Sequence, residues 1–401
     1  MPTFYEFFAG GGMVRQGLGP EWRCTFANDF DGKKGLAYQA NWGTSGELLV
    51  DDIRNLDTAH MPGDPDMAWA SFPCQDLSLA GMGRGLNGER SGTFHVFWSI
   101  MARLREEGRA PPIVAVENVC GALTSRAGAD FETICSAFAG NGYRYGALVI
   151  NADRFVPQSR PRLFVIGVRD DVAIDDSLIA PDAAHVFHTP ALRRAVNRLS
   201  EETRQSWLWW NLPVPARRAL DFVDVVEDRP KSVEWHSADE TRALLAMMSD
   251  VNKAKVVAAK RAGRRMVGGI YRRTRRDADG NKVQRAEVRF DNVAGCLRTP
   301  SGGSSRQIIM VVDGRRVRTR LLSTREAARL MGLPDSYRLP ANYNDAYHLM
   351  GDGVVAPAVR YLAQQLFEPL LATESAMAPG VEKTRRWRAP GERYSVMVGA
   401  L

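Results

Sequence analysis

The first 170 residues alternate short apolar runs with stretches whose apolar positions recur at helical spacing, which predicts strands joined by helices and so a mostly parallel sheet. Strands are predicted near Thr3 to Phe8, Cys24 to Asn28, Met67 to Ser71, Ile113 to Glu117, Gly146 to Asn151 and Leu163 to Val168. Helices are predicted near Met13 to Leu18, Gly32 to Asn41, Thr93 to Glu107 and Asp130 to Gly140. Ligands of such sheets bind beyond the carboxyl ends of the strands. The turn at Gly10, Asp29, Pro73-Cys74 and Glu117 all fall at such ends, so one cleft can collect them.

From about Asp170 the pattern changes. Trp207-Leu208-Trp209-Trp210, the proline-bearing stretch Asn211 to Arg218 and a predicted helix from Ala238 to Arg265 belong to no strand-helix repeat. Leu244, Met247 or Met248, and Val251 are spaced for one apolar helix face, and the tryptophans read as core packing. Arg320 to Pro334 reads as a helix with a clear stop, Tyr347 to Leu366 returns to an apolar pattern, and Thr373 to Leu401 reads as a loosely held tail.

The chain has 401 residues, 45% of them hydrophobic, enough for a large domain and a smaller one. No run approaches the roughly 20 apolar residues needed to span a bilayer, and the N-terminus enters a strand without a leader pattern, so a cytoplasmic location is expected. Five cysteines without paired spacing suggest neither a disulfide framework nor a metal site. The net charge of +7 favours a polyanionic partner. Its placement says more: from Lys253 to Arg276 there are ten Lys or Arg and no acid.

Phe8-Ala9-Gly10-Gly11-Gly12 joins the first strand to the first helix, where glycines let the backbone approach a ligand. Nucleotides, flavins and S-adenosylmethionine all use such turns. Asp29 after the second strand can accept from ribose hydroxyls, Phe30 can stack on adenine, and Asp52-Ile53 is placed for the adenine amino group. Further along come Pro73-Cys74-Gln75, then Glu117-Asn118-Val119, then Gln158-Ser159-Arg160-Pro161-Arg162: a thiol, a carboxyl group and guanidiniums, in that order. Cys74 alone reads as a small buried residue, and Glu117 alone as half of a salt bridge to an arginine.

Taken together, and from about Phe4 to about Leu366, these motifs closely resemble the DNA cytosine-5 methyltransferase family. The resemblance implies an α/β fold of the Rossmann-like methyltransferase type, with a mostly parallel sheet, helices on both faces and a smaller target-recognition domain. It places the catalytic and cofactor-binding domain at 1–185, target recognition at 186–318, a return segment at 319–372 and a tail at 373–401. The cofactor it implies is S-adenosylmethionine, held by Phe8, Ala9, Gly10, Gly12, Asp29, Phe30, Asp52, Ile53, Pro73, Phe94, Asp352 and Val354. The chain departs from the family at Met13, where many members have glycine, and at Gly351-Asp352-Gly353-Val354, where Gly-Asn and a small residue are usual. A carboxylate at Asp352 would repel the cofactor's own unless it points away.

Cytosine carbon 5 is a poor nucleophile until a thiolate adds at carbon 6. The implied catalytic residues are Cys74 as nucleophile, Glu117 as a protonated donor to ring nitrogen 3, Arg162 on the carbonyl oxygen, and Arg160 shaping the pocket with Gln158. A duplex substrate requires the base to be flipped out. The glycine-rich stretch Gly81 to Gly92 resembles the family's mobile loop. Gln75, Ser78, Arg84, Asn118, Gln158, Arg272, Arg273, Arg298, Ser304 and Arg306 are expected DNA contacts. The basic run read by itself is a solvated face. Glu326 and Arg329 are spaced for a helical ion pair. The expected partners are double-stranded DNA and a cognate restriction endonuclease or defence partner, with no membrane and a monomeric chain. Other readings are an RNA cytosine-5 methyltransferase, an enzyme adding a one-carbon unit to a free pyrimidine nucleotide, and a catalytically silent DNA-binding protein.

Overall fold

A computed structural model describes residues 1–72, 92–276, 280–299 and 306–377. The large sheet is built from β1 (Thr3–Phe7), β2 (Arg23–Asp29), β3 (Leu48–Val50), β4 (Met67–Ala70), β5 (Ile113–Val119), β6 (Tyr143–Asn151) and β7 (Pro161–Arg169), in the order β3-β2-β1-β4-β5-β7-β6. Strands β1 to β5 run parallel, and β7 runs antiparallel to both of its neighbours.

Because successive side chains of a strand point to opposite faces, each apolar run feeds two cores. Phe4, Trp69, Ile113, Ala115, Phe164 and Ile166 pack with the helices Met13–Leu18 and Ala356–Leu362. Tyr5, Phe7, Ala68, Ala70, Val114 and Val116 pack with Phe94, Phe97 and Trp98 of the helix Thr93–Glu106 and with Phe131, Ile134 and Phe138 of the helix Ala129–Gly140. Helices thus cover both faces, as expected of the α/β class. Short strands β8 (Ile179–Ala180) and β9 (Trp209–Trp210) pair antiparallel. Trp210 is fully buried, and Trp207 and Trp209 pack partly buried on the second core. Leu192, Val196 and Leu199 join that core too, so residues following 186 lie on the large sheet.

A second, antiparallel sheet comprises β10 (Met266–Arg276), β11 (Lys282–Arg289), β12 (Ile308–Asp313) and β13 (Arg316–Leu321), in the order β11-β10-β12-β13. Strand β10 pairs with β12 only over Met266 to Ile270 but with β11 as far as Arg276, so the far part of β10 and β11 extends as a two-stranded ribbon. The sheet's own core is Leu244, Met248, Val256, Ile270, Ala286, Val288 and Met310.

Two helix expectations need correction. Ala238 to Arg265 is two helices, Ala238–Ala246 and Asp250–Arg261. The break falls where the Met247 carbonyl accepts from the Ala286 N–H of β11 at 3.2 Å, drawing the chain out of the helical ladder. As a result Met248 is buried while Val251 is 70% exposed. Arg320 belongs to β13, and the following helix is only Thr324–Leu330, started by a reciprocal Ser323 and Glu326 capping box. Glu326 does not pair with Arg329. Its buried carboxylate takes both Arg320 Nη atoms at 2.6 and 2.7 Å, whereas Arg329 pairs with Asp335. Removing one partner of such a fully buried pair typically costs about 3–5 kcal/mol. Trp235 stacks under two guanidiniums, 4.0 Å from Arg318 and 4.7 Å from Arg320. Among the described residues no helix is long and apolar enough to cross a membrane.

Candidate active site

The glycine turn is held from below by aromatic side chains. Tyr337 Oη and Trp42 Nε1 both donate to the Gly11 carbonyl, at 2.7 and 3.1 Å. A Cβ on Gly11 would stand 2.3 Å from Tyr337 Oη, and one on Gly12 would stand 2.2 Å from Trp42 Nε1. Those two glycines are therefore required by the protein's own packing. Gly10 differs: its φ is +55°, and the nearest atom to a Cβ there would be Leu349 Cδ1 at 4.0 Å. Its missing side chain leaves open space, as a close ligand requires. Phe8, also at positive φ (58°), carries the chain into the turn, and Ala9 is buried.

Asp29 ends β2 and accepts from the Gly10 N–H at 2.8 Å and the Asp31 N–H at 2.9 Å, which ties the carboxylate to the turn. Burial raises its pKa, against the opposing pull of Lys34 and those two amides. The neighbouring Phe30 is 67% exposed, an aromatic ring offered at the strand end. Asp52 caps a short 3-10 turn, and its carboxylate is engaged by Arg54, whose hydrogen bonds lower its pKa. Ile53, Phe94 and Val354 are buried, with Phe94 packed on Phe72 at a ring separation of 5.2 Å.

At the other side of the cleft, register decides the chemistry. Strand β5 pairs with β7 so that Glu117 faces Phe164 and Val119 faces Arg162, which makes Glu117 and Arg162 diagonal neighbours on one face. They form an ion pair, Arg162 Nε to Glu117 Oε1 at 3.0 Å, both largely buried. Asn118 points to the opposite face. Its Nδ2 donates to the Phe72 carbonyl at 3.4 Å and its Oδ1 accepts from Val119 N–H, so it anchors the segment that leads to Pro73. Pro73, Cys74, Gln75, Ser78 and Arg84 lie outside the described residues, as does Ser304.

Arg160 and Gln158 are both buried, and every amide head of Gln158 is committed: Nε2 donates to the Leu330 carbonyl at 2.8 Å and Oε1 accepts from Leu297 N–H at 3.1 Å. Gln158 therefore stands inside the protein, not on a surface DNA can touch. Arg160 donates to the carbonyls of Leu297, Gly351 and Gly353 at 2.8, 2.8 and 2.7 Å. Both Nη atoms hold two distant segments against the start of β7, where the side chain is fully enclosed. Beside it lies Cys296, which the sequence did not single out, with Sγ 3.4 Å from Arg160 Nη1. Burial works to raise the Cys296 thiol, but Arg160, Arg162 and Arg298 together hold it below the ordinary thiol value.

Of the remaining expected DNA contacts, Arg298 is exposed next to this wall, while Arg306 leans on the ring of Tyr343 and donates to Asn344. Arg272 and Arg273 are consecutive in β10 and so face opposite ways. Arg273 shares the Glu287 carboxylate with Arg275, at 3.1 and 2.7 Å.

The family model for C-5 cytosine-specific DNA methylase matches residues 2–368. Among curated relatives, the Type II methyltransferase M.HpaII of Haemophilus parainfluenzae is 26% identical over 92% of this chain and 90% of its own. M.HhaI of Haemophilus parahaemolyticus is 26% identical over 90% and 93%, and M.Bsp6I of Bacillus sp. (strain RFL6) is 24% identical over 91% and 98%. In fold the chain is similar to the Entamoeba histolytica methyltransferase EhMeth (TM-score 0.59, 13% identity, 93% and 98% covered). It is likewise similar to the Dnmt2 methyltransferase of S. pombe (TM-score 0.54, 18% identity, 92% and 99% covered).

Proposed function

The chain belongs to the C-5 cytosine-specific DNA methylase family, and from that premise we propose that it methylates carbon 5 of a cytosine flipped out of a specific double-stranded DNA word, using S-adenosylmethionine and a covalent adduct on Cys74. The observation that carries this reading is the Glu117 and Arg162 pair, set on one face beside the strand end that leads to Cys74. The cleft suits the cofactor: Gly10 leaves open space, Asp29 is fixed to the turn with lone pairs to spare, and Phe30 exposes a ring. Phe8, Ala9, Gly12, Asp52, Ile53, Pro73, Phe94, Asp352 and Val354 complete the proposed lining. When bound, S-adenosylmethionine supplies an electrophilic methyl group.

Cys74 as thiolate adds to carbon 6, forming the C–S bond and breaking the 5,6 double bond. Glu117, paired with Arg162 before the base arrives, takes up a proton from solvent and donates it to ring nitrogen 3, while Arg162 turns to the carbonyl oxygen, so charge pushed into the ring is met by two fixed groups. Carbon 5, made nucleophilic by the adduct, would take the methyl group that the cofactor supplies, and loss of the carbon 5 proton to a base such as water would then restore the double bond and expel the Cys74 thiolate. Asn118 holds the loop from Phe72 onward, and Arg160 holds the cleft's far wall. A stacked base cannot present this face, which is why the reaction needs flipping.

The relatives' Type II designation supports a partner endonuclease that acts on the same word. The positively charged ribbon of β10 and β11, with Arg298, is proposed to approach the duplex, and the chain to act as a monomer. The test is base-resolution mapping of 5-methylcytosine on a random-sequence duplex library with S-adenosylmethionine, run beside Cys74→Ser. Methylation at one recurrent word that vanishes in the variant is expected. Near-normal methylation by Cys74→Ser overturns the adduct, and none by the unaltered protein, while it binds cofactor, favours an RNA substrate or a catalytically silent DNA-binding protein instead.

A further inference from the structure

The helix Tyr343–Asp352 ends at Gly351 and Asp352 with Gly353 as its cap, a segment without a side-chain donor. A Cβ on Gly353 would stand 2.2 Å from Met13 Sδ, so the methionine that replaces a family glycine fills the space a side chain there would need. A Cβ on Gly351 would press on the backbone of Arg298 and Thr299 at 3.1 Å. The carbonyls of both glycines already accept from Arg160. Between them Asp352 adds a negative charge, where the family resemblance implies that the cofactor's methionine end would bring another.

The structure resolves this conflict with a lysine from the opposite bank. Lys34, in the helix Gly32–Trp42 that follows β2, places Nζ 2.8 Å from Asp352 Oδ2. Lys34 is the more enclosed partner, its side chain 20% exposed against 42% for Asp352. The ammonium is thus enclosed between Asp352 and the field of Asp29, the carboxylate tied to the glycine turn. An ammonium has three donors, and among the described residues only the one to Asp352 is taken in a hydrogen bond. Although burial acts to discharge it, the fields of Asp352 and Asp29 more than offset this and keep it cationic.

We propose that Lys34, tethered by Asp352, receives the α-carboxylate of S-adenosylmethionine, so that the Asp352 departure orients a cation instead of repelling the ligand. This rests on S-adenosylmethionine being the cofactor. No bond is made or broken. The pair converts a helix end without side-chain donors into an anion site by borrowing one from the helix after β2.

The test is calorimetric titration of the full chain with two ligands, S-adenosylhomocysteine, which keeps the α-carboxylate, and 5′-methylthioadenosine, which lacks the amino-acid end. Lys34→Met is expected to weaken the first by about 10-fold or more, the scale of a hydrogen bond to a charged group, and to leave the second unchanged. Asp352→Asn is expected to weaken the first a few-fold through a looser Lys34. Equal weakening of both ligands by Lys34→Met makes the lysine a structural support and overturns the proposal, as does no weakening at all. Unchanged or tighter binding by Asp352→Asn overturns the tether. Failure of the unaltered protein to bind S-adenosylhomocysteine sinks the cofactor reading itself, a result distinct from these. Lys34→Arg, which keeps the charge, guards against misfolding: it should retain more affinity than Lys34→Met at matched thermal stability.

Discussion

Arg162 reaches Glu117 across the diagonal of the β5 and β7 pairing, Nε to Oε1 at 3.0 Å, so the two groups proposed to grip one cytosine also grip each other. A bond of this kind preorganises both side chains, and lysine could not reproduce the planar donor fork that meets a carboxylate and a carbonyl together. Glu117→Gln should keep DNA affinity within a few-fold while the single-turnover methylation rate falls by about 10²-fold or more, the range for a lost acid-base group. Arg162→Lys should behave similarly. A rate loss matched by an equal loss of DNA affinity would make the pair a binding element only.

Arg160 should separate from Arg162 on a different axis. Its buried guanidinium satisfies the carbonyls of Leu297, Gly351 and Gly353, and a shorter side chain strands them. With each buried unsatisfied polar group costing about 1–3 kcal/mol, Arg160→Met should lower the unfolding free energy by on the order of 3 kcal/mol or more. Denaturant unfolding of both variants checks this. A stable Arg160→Met protein that has lost only catalytic rate would return Arg160 to direct contact with substrate.

How much of this could be read from the chain depended on whether both partners of a contact carry a sequence signal. The strands of the large sheet were legible because runs such as Met67 to Ala70 are apolar at every position, being covered on both faces. Strand β3, only Leu48–Val50, is too short to show a period. In β10 and β11 the alternation past Ile270 is masked by arginines that stay solvated on both faces of the ribbon. Glu117 and Arg162 stood out by order along the chain. Lys34 did not, because its meeting with the end of a helix 318 residues away is set by packing that no local pattern shows. The partners of Arg160 are backbone carbonyls, which no side-chain pattern reveals.

The ribbon's arginines are not equivalent. Arg273 already shares Glu287 with Arg275, while Arg272, on the other face, forms no ion pair among the described residues. Each cation that neutralises a phosphate adds about 0.9 to the slope of log affinity against log salt. Arg272→Ser should therefore flatten that slope by about one, and Arg273→Ser by less. Equal slopes in the unaltered protein and Arg272→Ser, from binding titrations across salt concentrations, would remove Arg272 from the DNA footprint.

Glu6 offers a prediction in pH. It lies in β1 just before the glycine turn, buried, and neither carboxyl oxygen has a hydrogen-bond partner in good geometry. Burial pushes its pKa up to about 8, overcoming Arg15 and the nearby amides of Val14 and Arg15, with Asp29 adding to the rise. The unfolded chain releases this proton near the ordinary value of about 4.3, so the folded state binds one proton more between the two. Stability from this group is complete below the unfolded value, declines as pH rises, and is lost once pH passes about 8. Glu6→Gln keeps the neutral shape without the titration. Its Tm should match the parent's near pH 4 and exceed it increasingly toward pH 9, and parallel profiles across that range would mean that Glu6 is already charged in the fold.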